Sequence, residues 1–588
     1  MKNFLKMALA TVVGILISSL IMFLIFAGIV GAIVATGNKP VIVKSNSILK
    51  LTLEKQIVDR SQNGPFAGFN LHGFGKPKQD GLNEILDNIK KAKNDKNIKG
   101  IYLELTVVPA GIATIEEIRN ALIDFKKSGK FIIAYTDFYT QRSYYLSSVA
   151  DKIYMNPKGG IEFMGLRSQM LFFKGTFEKL GIEVQVFKHG KFKSFPETYV
   201  SDKMSAENKL QITQLINSIW DNALEGISKQ RGISIKKLNS LADRMVLMDA
   251  DSCFSNKLVD SLFYKDQVNN KLIELSGQKG KEPEFVSLSK YERVQDPSEE
   301  KNKSKFKIAV VYAQGDIVMG KDDEDEISSD KISKALRDAR KDTTVKAIVF
   351  RINSPGGSSL ASEVIWREVE LAVKEKPVVV SMGDLAASGG YYISCPASTI
   401  VTSPNTITGS IGVFGMMPNV SKFLSNKLGI TTDMAATNKH SDFPSIFRPL
   451  NSEEKAYIQF EIDKIYDDFI THVSNGRKLT KNEIDQIGQG RVWSGSDAIK
   501  IGLADTIGGL NDAINIAAKR AKIIDYTIKN LPEIEEPFAK FIKNLTDDTK
   551  ASFLNSELGD DYKYFQLYKK VQHMKGIQAR LPYEIEIY

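Results

Sequence analysis

The 588 residues contain only two cysteines, Cys253 and Cys395, and five histidines. Two thiols cannot build a disulfide scaffold or a four-cysteine zinc site. His72, His189, His440, His472 and His573 form no H-E-x-x-H pattern, and the cysteines no C-x-x-C. A metal enzyme is therefore not expected. Charge of one sign is also scarce: a net +9 is mild for this length and reads as a lysine excess on a solvated surface, not as nucleic-acid binding. With 43% hydrophobic and 25% charged residues, the chain is neither disordered, collagenous nor a polytopic membrane protein.

One segment departs from that average. Met7 to Asn38 is a run of thirty-two residues without a charge, flanked by Lys2, Lys6 and Lys39. About twenty apolar residues span a bilayer, and a cleaved signal carries a shorter apolar region of about 7–15 residues. The run therefore predicts a single uncleaved transmembrane helix. The basic flank predicts a short cytoplasmic tail, with everything after Lys39 on the outer face of the membrane.

The remainder is a duplication. Residues 98–166 align with 345–413 at a constant offset, so that Ile98 to Ile101 answers Val345 to Ile348, Gln141 to Ala150 answers Ser388 to Ala397, and Pro157 answers Pro404. Further on, Leu180-Gly181-Ile182 answers Leu428-Gly429-Ile430, and Phe195-Pro196 answers Phe443-Pro444. Each copy alternates strand and helix. In the second, Lys307–Ala313, Lys346–Ile352 and Pro377–Met382 read as strands, and Ala361, Val364, Ile365, Val369 and Ala372 share a helical face. Such βαβ units predict an α/β fold with parallel sheets flanked by helices. The expected organisation is an anchor (1–40), a first copy (41–274), a solvated linker (275–305), a second copy (306–525) and a tail (526–588) of unassigned role.

Two glycine-rich stretches in the second copy point to chemistry. Asn353-Ser-Pro-Gly-Gly-Ser358 follows a strand and precedes a helix, where paired glycines let backbone N–H groups face a cavity. Gly383-Asp-Leu-Ala-Ala-Ser388-Gly-Gly-Tyr-Tyr392 places Ser388 at a strand end and helix start. Taken alone, the first is a tight turn and the second an N-cap. The duplication separates the readings. The first copy has Val108-Pro109-Ala110 in place of Pro355-Gly356-Gly357, and Gln141 in place of Ser388, yet keeps Tyr144, Tyr145, Ala150 and Pro157. A turn or cap required for folding is required in both copies, whereas a nucleophile is not.

A serine nucleophile needs a base. No histidine has a persuasive Ser-His-Asp setting, although His440 stands in a polar loop. The first copy offers Lys188-His-Gly-Lys191-Phe-Lys193-Ser-Phe-Pro-Glu197, whose Lys193 aligns with Ser441 of the second copy. A neutral lysine can accept the hydroxyl proton if burial lowers its pKa from about 10.4 by about three units. Phe192 and Phe195 flank Lys193 and supply apolar surroundings; Lys191 stands two residues away in the same stretch.

These motifs, with Thr408-Gly-Ser-Ile-Gly-Val413, resemble the long, duplicated form of bacterial signal peptide peptidase A, the S49 type of serine protease. The resemblance covers about residues 45–525. It implies tandem ClpP/crotonase-like domains, Ser388 as nucleophile, Lys193 as general base, Gly356 and Gly389 as oxyanion donors with Gly357 shaping their loop, and Ser410 orienting the lysine. It also implies a homotetramer and hydrophobic peptide substrates, notably signal peptide remnants in the membrane, with no nucleic acid and no cofactor. A crotonase-type acyl-CoA enzyme and a non-catalytic membrane-tethered ring scaffold are the alternatives.

Overall fold

The computed structural model describes residues 2–37, 41–61, 78–280, 282–295, 304–320, 326–534 and 577–581. The N-terminal segment is one continuous helix, α1 (Lys2–Gly37). Counted over the described residues, no helix is long and apolar enough to cross a membrane; several side chains of α1, including all of 29–37, lie outside those residues.

The strands that position the site run, in chain order, β1 (Ser47–Leu51), β2 (Ile98–Leu103), β3 (Phe131–Thr136), β4 (Lys152–Met155), β5 (Glu183–His189), β6 (Ser261–Leu262) and β7 (Phe285–Ser287) in the first copy. The second copy contributes β8 (Lys307–Gln314), β9 (Ile317–Val318), β10 (Ile327–Ser328), β11 (Val345–Ser354), β12 (Gly356–Ser358), β13 (Val378–Ala387), β14 (Thr399–Thr402), β15 (Ile407–Gly409), β16 (Val413–Asn419), β17 (Val492–Ser494), β18 (Thr506–Ile507) and β19 (Thr527–Leu531), followed near the chain end by β20 (Gln578–Arg580). The first sheet has the order β6-β4-β3-β2-β1-β7 and is parallel throughout. The second has the order β17-β15-β13-β11-β8-β19, with β14 and β18 branching from β13. Strands such as β11 and β13 are buried over most of their length, because helices cover both faces of a parallel sheet.

The duplication is visible element by element. The helices α2 (Ile112–Lys126) and α3 (Gln141–Ser147) of the first copy have counterparts α5 (Ser359–Glu375) and α6 (Gly389–Ser394), and α4 (Ala206–Arg231) answers α7 (Ser452–Arg477). Side-chain contacts repeat as well. Tyr144 donates to the Leu258 carbonyl and Tyr391 to that of Leu503, both at 2.9 Å, while Tyr145 and Tyr392 donate to Glu116 and Glu363. Helix α5 illustrates the local logic. Ser358 caps it by accepting from the Ala361 N–H, and Ala361, Ile365, Val369 and Ala372 bury one face. Lys376, preceding Pro377, is extended and ends the helix. Val364, expected on the buried face, is instead exposed.

One stretch differs from expectation. The segment read as a linker contains β7, which adds to β1, and a short helix that buries Tyr291 completely. Its charges drew the reading; its few apolar residues complete the first sheet, as β19 completes the second beside β8. In the tail, whose role the sequence left unassigned, β19 pairs with β8 and β20 with β12 of the second copy.

A third sheet, β10-β9-β12-β20-β16-β5, joins the copies. Its longest pairing is antiparallel β5 with β16, from Val413 opposite His189 to Asn419 opposite Glu183. The copies also meet where Arg351 of β11, fully buried, reaches two carboxylates of the first copy, Asp59 at 2.8 Å and Glu117 at 2.7 Å. Asp384 reciprocally accepts from the Ala113 and Thr114 N–H groups and the Thr114 hydroxyl at the start of α2.

Candidate active site

Ser388 stands between β13 and α6, at the carboxyl ends of the parallel strands, where open α/β sheets place their ligands. Its backbone has φ 54° and ψ −114°, a conformation costly for a residue with a Cβ, and its N–H is held by the Gly409 carbonyl at 2.8 Å. As the residue before a helix, Ser388 invites an N-cap role, but its side chain makes no cap bond. In the first copy Thr140 does cap α3, accepting from the Ser143 N–H. The hydroxyl of Ser388 is therefore free of the capping duty that Thr140, the neighbour of its counterpart Gln141, performs in the first copy.

That hydroxyl faces Lys193, whose Nζ lies 2.7 Å from Ser388 Oγ within the same chain. The lysine sits in the loop after β5, and the β5–β16 register brings this loop beside Ser410, Ile411 and Gly412. Lys193 Nζ also donates to Ser410 Oγ at 3.0 Å and to the Ser410 carbonyl at 3.2 Å. A neutral amine has two donors and one lone pair. The two Ser410 contacts satisfy the donors and leave the lone pair for the Ser388 hydroxyl. Both residues are fully buried. Burial, with no carboxylate partner, drives the lysine pKa well below its ordinary 10.5. Phe192 and Phe195 are buried beside it, and Phe195 stacks on Phe414 at 5.1 Å. Lys191 is exposed, and His440 pairs with Glu453 and Glu454; the amine at the Ser388 hydroxyl is that of Lys193. Ser441, aligned with Lys193, lies exposed in a polar loop.

The glycines converge on the same place. A Cβ on Gly356 (φ 101°) would come within 2.7 Å of the Gly389 nitrogen, and one on Gly389 within 2.7 Å of Ser362 Oγ. Substitution at either fills the space beside Ser388. The Gly356 N–H itself donates to Ser354 Oγ at 3.1 Å. Gly357, with φ 156°, packs against the Ile317 backbone.

Several supporting residues carried no signal in the sequence. Gly490 (φ 82°) lies against Lys193, where a Cβ would meet the lysine backbone at 2.6–2.7 Å. Gln211, on α4, donates to the Phe192 carbonyl at 3.0 Å and to Ser194 Oγ at 3.1 Å, and Ser194 donates to Asn208 at 2.9 Å. These polar residues look like an ordinary hydrophilic helix until the loop bearing Lys193 is laid across them.

A serine with a lysine at its hydroxyl, buried at the seam of two α/β copies, defines a serine hydrolase, and relatives narrow the class. The model of Peptidase family S49 matches residues 124–279 and 370–524, one stretch in each copy and together more than half the chain. Protease 4 of Haemophilus influenzae is 36% identical over 85% of this chain and 84% of its own length. Protease 4 of Salmonella typhi is 37% identical over 81% and 78%, and the chloroplastic serine protease SPPA of Arabidopsis thaliana 31% identical over 92% and 78%. Among solved structures, a point mutant of ClpP1 from Listeria monocytogenes covers 35% of this chain, and 94% of its own, at 17% identity and a TM-score of 0.24; the fold description rests on this chain's own sheets. The protein is a serine protease with a duplicated α/β body. It belongs to peptidase family S49, which sets aside the acyl-CoA and scaffold alternatives.

Proposed function

We propose that this protease cleaves hydrophobic peptides, including signal peptide remnants, through an acyl-enzyme on Ser388 with Lys193 as general base. The observation that carries the reading is the 2.7 Å contact between the two side chains, buried together away from any carboxylate. Lys193 takes the hydroxyl proton as Ser388 Oγ attacks, then returns it to the leaving amine. Ser410 orients the amine through its hydroxyl and carbonyl. The Gly389 N–H provides one oxyanion donor. Because Ser354 occupies the Gly356 N–H, the second donor moves from Gly356, as the resemblance implied, to Gly357, with Gly356 keeping the pocket open.

The apolar cluster of Ile112, Leu166, Met170, Leu385 and Ile407 around Ala387 favours an apolar substrate. Anchoring by α1 is part of the reading. Its 36 residues rise about 54 Å, more than the roughly 30 Å hydrocarbon core, and Leu9, Leu16 and Leu24 are exposed. With Lys2 and Lys6 on the cytoplasmic side, the body lies on the outer face of the inner membrane. Exposed Leu171, Phe173, Leu428, Ile430 and Met434 support assembly of the ClpP/crotonase-like copies into a homotetramer.

The reading is tested by pH and by labelling. The base works only when neutral, so kcat/KM rises with pH as Lys193 loses its proton, and levels off well below pH 10.5. A serine-directed phosphonate probe labels Ser388 along the same curve. A rise delayed to the ordinary lysine range, or unchanged labelling of Ser388→Ala, rejects the dyad. Gly356→Ala places a methyl group in the oxyanion pocket and lowers kcat by about 10²–10³-fold; wild-type turnover by this variant removes the pocket from the mechanism.

A further inference from the structure

A strap of the second copy, Gly488 to Arg491, lies against the loop that carries Lys193. It joins the short helix Lys481–Ile487 to β17. Gln489 and Gly490 both have left-handed backbone, with φ 55° and 82°, a conformation that costs free energy at Gln489. The strap bonds to the base loop and to the serine beside it. The Gln489 carbonyl accepts from the Phe192 N–H at 2.9 Å, and the Arg491 carbonyl from the Ser410 N–H at 2.7 Å. The Gly490 carbonyl accepts from Ser410 Oγ at 3.3 Å, and the Gly490 N–H donates to the Ile411 carbonyl at 2.7 Å.

The strap is itself held by Tyr466 of α7, which is buried. Its hydroxyl accepts from the Gln489 N–H at 3.2 Å and donates to Asp485 at 2.6 Å. Asp485 also accepts from the Gln489 side chain at 2.7 Å. On the ring of Tyr466 stacks His189, the last residue of β5, with centroids 3.9 Å apart and planes at 18°. Asp463, three residues earlier on α7, pairs with His189 at 2.8 Å. Tyr466 thus reaches the base loop twice, at His189 through its ring and at Phe192 through Gln489.

The duplication again provides a control. Helices α4 and α7 have equal length, which sets Trp220 opposite Tyr466. Trp220 keeps the aromatic body, tilted on Phe163 at 5.1 Å, but donates its N–H to Asn239 at 2.8 Å. Superposing the caps Asp249 and Ser494 sets Met245 opposite Gly490. Met245 keeps the left-handed backbone, with φ 52°, and is exposed. The hydroxyl and its contact with the strap belong to the copy that carries Ser388.

We propose that Tyr466 is a positioning residue of this protease, whose hydroxyl fixes the Gln489–Gly490 strap and, through it, Lys193 and Ser410 against Ser388. The proposal rests on the Ser388–Lys193 reading and names what holds that dyad in register. A lysine amine ends four rotatable bonds, so it stays at Ser388 Oγ only if its backbone is held. A misplacement of about 1 Å at reacting groups can cost about 10²-fold in rate. Without the Tyr466 hydroxyl the Gln489 N–H loses its partner, and the turn at Gln489 relaxes toward ordinary backbone. The base loop then loosens and admits water, which returns the amine toward its ordinary titration range.

Tyr466→Phe in the full-length protein keeps the ring and its stacking on His189 and removes only the hydroxyl. It is expected to lower kcat toward an apolar reporter peptide at least about tenfold, with KM within about twofold of wild type. The midpoint of the kcat–pH curve is expected to move upward, toward 10.5. Asp485→Leu removes the acceptor of the Tyr466 hydroxyl and is expected to move kcat and midpoint in the same directions. Tyr144→Phe removes a buried tyrosine hydroxyl bond of the first copy and is the stability control. It is expected to lower the denaturation midpoint and leave the pH midpoint in place. Wild-type kcat and pH midpoint in Tyr466→Phe overturn the proposal. So does a fall in kcat that only follows loss of folded protein, with the pH midpoint unmoved. If Tyr466→Phe does not fold, Asp485→Leu decides by the same two readouts. Wild type with no turnover, or with its midpoint in the ordinary lysine range, overturns the Ser388–Lys193 reading instead.

Discussion

Ser388→Ala is expected to lower peptide hydrolysis by on the order of 10⁴–10⁶-fold, and Lys193→Met by at least about 10²–10⁴-fold, without loss of fold. The two variants then differ in stability, which separates a catalytic lysine from a structural one. Lys193 is buried without a counter-ion, and burial depresses its pKa. Between that depressed value and 10.5 the unfolded chain binds the extra proton, so wild-type stability rises with pH through this window. Below the window the full cost of a buried ammonium, or of its neutralisation, is present. Methionine fills similar volume without that cost. Lys193→Met is therefore expected to be more stable than wild type at neutral pH, by on the order of 1–3 kcal/mol, with the advantage shrinking as pH approaches the ordinary lysine range. Denaturant melts at several pH values check this. A Lys193→Met protein less stable than wild type throughout shows instead that the amine's bonds to Ser388 and Ser410 hold the fold together.

The second large effect is expected at a residue that touches no substrate. Arg351→Leu strands Asp59 and Glu117 in a buried seam, at a cost of about 3–5 kcal/mol. Burial works against the guanidinium's charge, but the two carboxylates more than offset it and hold its pKa above the ordinary range. Desolvation pushes the Glu117 carboxyl up, opposed by Arg351 and by the Leu510 N–H. Because Arg351 belongs to the second copy and both carboxylates to the first, the lost free energy falls on the joint that keeps Lys193 beside Ser388. Activity is expected to fall at a lower denaturant concentration than global unfolding requires. The combination Asp59→Leu, Arg351→Met and Glu117→Leu removes every stranded charge and is expected to recover most of the stability. Arg351→Leu melting within about 0.5 kcal/mol of wild type, the range of ordinary surface changes, would show that the seam does not depend on this triad.

Much of this was legible in the chain because a duplication carries its own control. The scaffold tyrosines recur at Tyr144 and Tyr391 with the same hydrogen bond, whereas Ser388 and the glycine loop occur once. That contrast singled out Ser388 as the candidate nucleophile, and Lys193 followed as the candidate base that only the other copy retains. The sequence placed β11, α5 and β13 within a few residues, since continuous apolar runs, a capping serine and Pro377 mark their limits locally. It misjudged Val364, because a pattern of apolar spacing does not say how wide the covered face is. It passed over Tyr291, whose apolar ring stands among charges that read as linker.

What the sequence determined by itself is local and repetitive: two copies of an α/β pattern, an uncharged run at the start, a serine between glycines, a lysine between phenylalanines, and too few cysteines and histidines to suggest other chemistry. What tertiary structure decided is every relation between distant segments. The β5–β16 pairing joins residues more than two hundred positions apart and brings Lys193, not Lys191, to Ser388. Gly490 and Gln211 matter only because the lysine loop passes between them. Burial and register depend on the sum of all packed contacts, and it is burial that lowers the pKa of Lys193 well below that of an ordinary lysine.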